Sequence, residues 1–212
     1  MGDSVMDTRD MIAWLGNDPG LGRFAAYLNE DPSRLEETPG LKEFVASYMQ
    51  KADEAVTDPL TGMYNRRFFF RRANGLLRDT RQYHGSPPLS LTLYDLNDFK
   101  RINDTYGHEA GDRALKEVAN AFRKHYQRGS EVAARFGGDE FVVAQHGTFN
   151  NAQRTAQEVR EDLLSVVITD LPVDISFGTS QWADGMDIDN MLASAEPALN
   201  AHKKYVKPCN YR

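Results

Sequence analysis

Gly137-Gly138-Asp139-Glu140 separates two short apolar stretches, Val132–Phe136 and Phe141–Ala144. Glycine takes the positive φ angles that a tight turn between antiparallel strands demands. The segment therefore predicts a β-hairpin carrying two carboxylates in its turn. A second strand is predicted over Leu89–Asp95, where apolar and other residues alternate and Asp95 ends the leucine face. A third is predicted over Val173–Trp182. Apolar residues at helical spacing predict helices over Arg66–Gln82, Ala110–Arg128, Asn151–Val167 and Ile188–Tyr205. The order helix, strand, helix, hairpin, helix, strand, helix implies an α/β (α+β) domain, one sheet with helices on one or both faces.

Two further zones precede this domain. Residues 1–40 predict two short helices, Asp7–Leu15 and Leu21–Leu28, punctuated by Pro19, Gly20, Pro32, Pro39 and Gly40. Residues 41–56 place Leu41, Phe44, Val45, Tyr48, Met49, Ala52 and Val56 on one stripe of a helix. That helix either packs on its own domain or pairs with its copy in a homodimer; the stripe covers only about two heptads. Asp58-Pro59-Leu60-Thr61-Gly62 ends it and opens the third zone, residues 57–212.

Composition narrows the class. Charged residues make up 26% and hydrophobic residues 41%, which is ordinary for a globular protein. The single cysteine, Cys209, cannot form an internal disulfide, which fits a reducing compartment such as the cytoplasm. No apolar run approaches the roughly 20 residues of a membrane span, and no apolar leader opens the chain. A net charge of −6 argues against duplex nucleic acid or an anionic membrane as the main partner.

The chemistry lies in the polar residues beside the predicted strands. Carboxylates at adjacent strand ends, such as Asp95, Asp139 and Glu140, can converge on a hard divalent cation. Mg²⁺ usually adds substrate phosphates to one or two such ligands. Alone, the tetrapeptide reads more readily as a solvated turn. Between Asp95 and Asp112, Lys100 could meet a phosphate. Asn103 and Asp112 could read the paired donors of a guanine edge. Alone, this segment reads as an Asx-rich loop that caps a helix.

The stretches Asp58–Arg67, Asp95–Asp112 and Arg135–Phe141 occur together, in order and with matching spacing. In this the chain resembles the GGDEF family of diguanylate cyclases, from roughly Thr57 to the C-terminus. The resemblance implies a fold like the palm of nucleotide cyclases, a central, mostly antiparallel sheet flanked by helices. It implies condensation of two GTP into cyclic di-GMP, with release of two pyrophosphates, by a Mg²⁺-dependent (or Mn²⁺-dependent) homodimer. By position, Asp95, the Leu96 carbonyl, Asp139 and Glu140 would ligate the metal, and Asp139 would help deprotonate the attacking 3′-hydroxyl. Lys100 would offset phosphate charge, Asn103 and Asp112 would recognise guanine, and His108 would line the pocket. Gly137 and Gly138 would leave room for the nucleotide.

The chain departs from the family pattern in places. Asn97 replaces an Asp common there. The C-terminal phosphate clamp would be Lys203 and Lys207, the latter replacing an Arg, and Pro197 is expected to interrupt the helix that carries them. A product-inhibition motif Arg-x-x-Asp becomes Arg128-Gly129-Ser130-Glu131, which implies weak or absent feedback by cyclic di-GMP. A different class of reading is a silent domain that binds GTP or cyclic di-GMP as a receptor. A third is a scaffold whose N-terminal helices bind a partner.

Overall fold

The computed structural model describes residues 26, 28, 30–54, 56–82, 87–126 and 130–206. Its contacts divide the chain into two compact units, one ending at Ala55 and one beginning at Val56. In the first unit, helices α1 (Ser33–Glu37) and α2 (Leu41–Glu54) pack together across a turn at Gly40, whose φ of 76° suits glycine. Val45 on α2 is buried, whereas Phe44 is 64% exposed, so the expected stripe is not uniformly covered. The side chains of Tyr48, Met49 and Ala52 lie outside the described residues. So do the helix expected over 7–15 and almost all of that expected over 21–28.

The second unit runs β1 (Tyr64–Asn65), α3 (Arg66–Gln82), β2 (Leu89–Leu96), α4 (Phe99–Tyr106), α5 (His108–His125), β3 (Glu131–Gly137), β4 (Glu140–His146), α6 (Phe149–Leu164), β5 (Val167–Ile168), β6 (Leu171–Pro172), β7 (Ile175–Gln181) and α7 (Ile188–Val206). Five strands form one sheet in the order β1-β3-β4-β2-β7. All pairs are antiparallel except β1 with β3. Apolar clusters lie on both faces. One joins Tyr94, Phe122, Phe141, Val143 and Val159 beneath α5 and α6. The other joins Phe69, Leu77, Leu91, Val142 and Met191 beneath α3 and α7. β2 is thus covered on both sides, and its polar residues find partners. Ser90 Oγ donates to the Gly147 carbonyl at 2.8 Å, and the Thr92 and Thr179 hydroxyls meet at 3.1 Å.

Four expectations need correction. The helix predicted from Ala110 begins earlier, as two helices broken at Gly107 with φ 83°. The polar segment after Asp95 is helical over Phe99–Tyr106 because Phe99, Ile102 and Tyr106 recur at helical spacing and pack on the core. α6 stops at Leu164, and the β-branched residues beyond it enter the small β5–β6 hairpin. Finally, Pro197 lies inside α7 without ending it. The sheet holds that helix closely: a Cβ on Gly178 of β7 would stand 2.2 Å from Leu199 N and 2.4 Å from the Ala195 carbonyl.

Candidate functional site

The site is built at the end of β2 from its two neighbours. Asp95 is the direct cross-strand partner of Glu140. One residue on, the Leu96 N–H donates to the Asp139 carbonyl at 3.1 Å. The connecting turn is Gly138-Asp139, with Gly138 at φ 55° and Gly137 at φ 145°. The register shifts between Arg135 and Gly137, a bulge that re-aims the hairpin tip. Backbone pairing therefore brings the signature turn beside Asp95.

Lys203, from the last turn of α7, sets Nζ 2.6 Å from Asp95 Oδ2. Burial raises the Asp95 carboxyl above its ordinary range; Lys203 pulls it back and the charge of Asp139 adds to the rise. A half-buried carboxylate that already holds an ammonium, with two more acids beside it, is a donor set suited to a hard cation. Among the described residues, no three His, Cys, Asp or Glu side chains form a metal cage by themselves. Carbonyl and phosphate oxygens would complete the shell, as Mg²⁺ chemistry favours.

Arg135 holds the turn in place. Its Nε and Nη2 donate to the Gly138 carbonyl at 3.0 and 2.7 Å, and its Nη1 donates to Asp58 Oδ1 at 2.9 Å. Asp58 also accepts from the Thr61 amide at 2.9 Å and hydroxyl at 2.6 Å. Burial would raise the Asp58 carboxyl, but the Thr61 and Arg135 bonds outweigh it and hold it below its ordinary value.

The predicted base-reading residues lie on the neighbouring helices. Asn103, half-buried on α4, packs against Gly111 of α5: a Cβ there would stand 2.0 Å from Asn103 Oδ1. Asp112 follows Gly111 and is exposed, as are Lys100 on α4 and His108 at the start of α5. A cavity of about 480 Å³ opens beside Asp95, lined among others by Asn97, Asp98, Arg101, Arg160 and Lys203. Lys207 and Arg128 lie outside the described residues; Glu131 begins β3 opposite Gln145.

The supporting residues were not assigned from sequence. Arg135 and Gly111 sit inside recognised motifs, and a glycine within a helical pattern signals close packing. Asp174 and Arg160 carry no local signal, since only the fold brings them to the cavity.

A family profile described as "Diguanylate cyclase, GGDEF domain" matches residues 55–207. The chain belongs to the GGDEF family. It is 37% identical over 145 residues to the response regulator PleD of Caulobacter vibrioides, covering 65% of this chain and 31% of PleD. It is 31% identical over 160 residues to the diguanylate cyclase DosC of Escherichia coli, covering 71% of this chain and 34% of DosC. The chain thus spans about a third of both relatives. Among solved structures, the GGDEF domain of DgcB from Caulobacter crescentus, in complex with c-di-GMP, superposes with a TM-score of 0.66 at 27% identity. That match covers 72% of this chain and 92% of the DgcB domain. The central, mostly antiparallel sheet flanked by helices agrees with the GGDEF fold expected from the motifs.

Proposed function

We propose that this chain is a diguanylate cyclase, which condenses two GTP into cyclic di-GMP and releases two pyrophosphates. The observation that carries this reading is the Asp95 carboxylate, raised by burial, paired with Lys203 and set in register with Glu140 beside Asp139. Asp95, the Leu96 carbonyl, Asp139 and Glu140 would hold Mg²⁺ or Mn²⁺, which supplies Lewis-acid neutralisation of triphosphate charge when bound.

The protein's own work is positioning and charge placement. Asn103 and Asp112 hold guanine, with His108 beside it. Lys100 and Lys203 offset phosphate charge, joined by Lys207. The 3′-hydroxyl of each GTP attacks the α-phosphorus of the other. A new O–P bond forms as the bond to pyrophosphate breaks, and Asp139 helps take the hydroxyl proton. Gly137 and Gly138 leave space at the turn for the nucleotide. Each copy supplies one half-site, so turnover needs two copies face to face, and the helix Leu41–Glu54 would pair with its copy. The Arg128 and Glu131 pair gives weak or absent feedback by product. The setting is the cytoplasm, where GTP is at hand.

Incubation with GTP and Mg²⁺, followed by chromatography, tests the reading. Cyclic di-GMP should form, and Asp139→Ala and Glu140→Ala should abolish it while the fold persists. Binding of GTP without product would identify a silent receptor instead. Full turnover in both variants would refute the site.

A further inference from the structure

β2 leaves the sheet through Asn97, whose side chain is engaged on both its ends. Nδ2 donates to Asp174 Oδ2 at 3.0 Å, and Oδ1 accepts from Ser176 Oγ at 2.8 Å. The Asn97 N–H also donates to the Asp174 carbonyl at 2.9 Å. Asp174 is in turn gripped by Arg160 of α6, Nε to Oδ1 at 2.7 Å and Nη2 to Oδ2 at 3.3 Å. Both members of that ion pair are largely buried, with side chains 17% and 20% exposed.

This chain of bonds requires an amide. Asn97 must donate toward Asp174 and accept from Ser176 at once. A carboxylate could accept from Ser176 but would offer no proton to Asp174. It would instead confront a second carboxylate with one guanidinium to serve both. The identity of residue 97 is therefore tied to Asp174, which explains a departure from the family pattern.

The bonds also sit where they matter. Leu96 is held from the β4 side by the Asp139 carbonyl, and Asn97, the next residue, is held by Asp174 just before β7. Asp98 follows in the left-handed region, φ 55° and ψ 21°, a conformation that a non-glycine residue keeps only when its surroundings enforce it. We propose that Asn97 is a positioning residue: through Ser176, Asp174 and Arg160 it fixes the exit of β2, and with it the Asp95 carboxylate and Leu96 carbonyl that receive the cation. This rests on the reading of Asp95 and Leu96 as cation ligands.

The test uses the full chain without nucleotide. Mn²⁺ affinity is measured by electron paramagnetic resonance, well below the melting temperature, for wild type, Asn97→Ala, Asn97→Asp and Asn97→Asp/Asp174→Asn. Loss of a direct partner of a metal ligand typically weakens metal binding about 10–100-fold. Asn97 acts on the ligands through the backbone, so the lower end, about tenfold, is expected for Asn97→Ala. Asn97→Asp should also weaken it, despite the added negative charge. The double variant, which exchanges the amide and the carboxylate, should bind more tightly than Asn97→Asp. If Asn97→Asp does not fold, Asn97→Ala decides. Wild-type affinity in Asn97→Ala, or no gain in the double variant, overturns the inference while leaving the cation site intact. A wild-type chain that binds no Mn²⁺ overturns both.

Discussion

Arg135 bonds Asp58 with one guanidinium nitrogen and the Gly138 carbonyl with the other two. One side chain thus fastens the acidic turn to the Asp58-Pro59-Leu60-Thr61 segment 77 residues earlier. Hydrogen bonds to charged groups contribute about 1.5–3 kcal/mol each, so Arg135→Ala should lower stability by about 2 kcal/mol or more. Turnover should fall more than tenfold, because Asp139 and Glu140 lose their fixed height. Thermal melting and GTP turnover, measured on one preparation, check both.

Lys203 occupies the Asp95 carboxylate that a cation would use. Lys203→Met removes that competitor. A partly exposed ion pair contributes up to about 1 kcal/mol, so Mn²⁺ should bind the nucleotide-free variant up to about fivefold more tightly. GTP should bind it more weakly, because a phosphate partner is gone. Opposite signs in two titrations are the expected outcome; a loss of Mn²⁺ affinity would remove Lys203 from the competing role.

Gly111→Ala inserts a methyl where Asn103 Oδ1 now lies, 2.0 Å from the new Cβ. The amide is the mobile end of its side chain and can turn away, the Phe99 ring at 3.0 Å must give by a few tenths of an ångström, and alanine favours the helix. Stability should change by less than about 1 kcal/mol, while KM for GTP rises about tenfold or more, since a lost base contact is felt mainly in binding. Steady-state kinetics beside a melting curve would separate the two. An unchanged KM would show that Asn103 does not read the base.

His202 lies tilted against Phe177, ring centroids 4.5 Å apart, and its Nδ1 accepts the Phe177 N–H at 3.4 Å. Burial, followed by the charge of Arg160, lowers its pKa below the ordinary 6.5, with Asp174 opposing. The unfolded chain therefore takes up this proton more readily. The contribution to stability is complete above pH 6.5 and is lost as pH falls from there toward the folded value. Wild type should lose more stability than His202→Gln between pH 7.5 and 5, as read from melting temperatures. Parallel losses would contradict the assignment.

Strands β2, β3, β4 and β7, helices α2, α3, α5, α6 and α7, and the meeting of Asp95 with the Gly137–Glu140 turn are legible because periodicity and turn chemistry are local; the two-residue strands β1, β5 and β6 are too short to show a period. α4 is not legible, because its polar residues match a capping loop and only three apolar positions mark a helix. Pro197 misled for the opposite reason: local propensity predicts a break, and packing on Gly178 prevents it. The bonds around Asn97 join residues up to 79 positions apart, and no sequence pattern of one strand or helix records them. Lys203 was placed by motif alone, and its partner Asp95 emerged only from the fold.

The bare backbone at Gly178 also governs reach. α7 rests against it one turn before the segment that delivers Lys203, and Pro197 has removed one of the rungs with which that helix would brace itself. Any side chain at 178 would lever the helix off its bed. The lysine would be lifted away from the strand terminus like a crane whose footing has been raised. A position with no functional group of its own thereby calibrates how far a distant ammonium can extend.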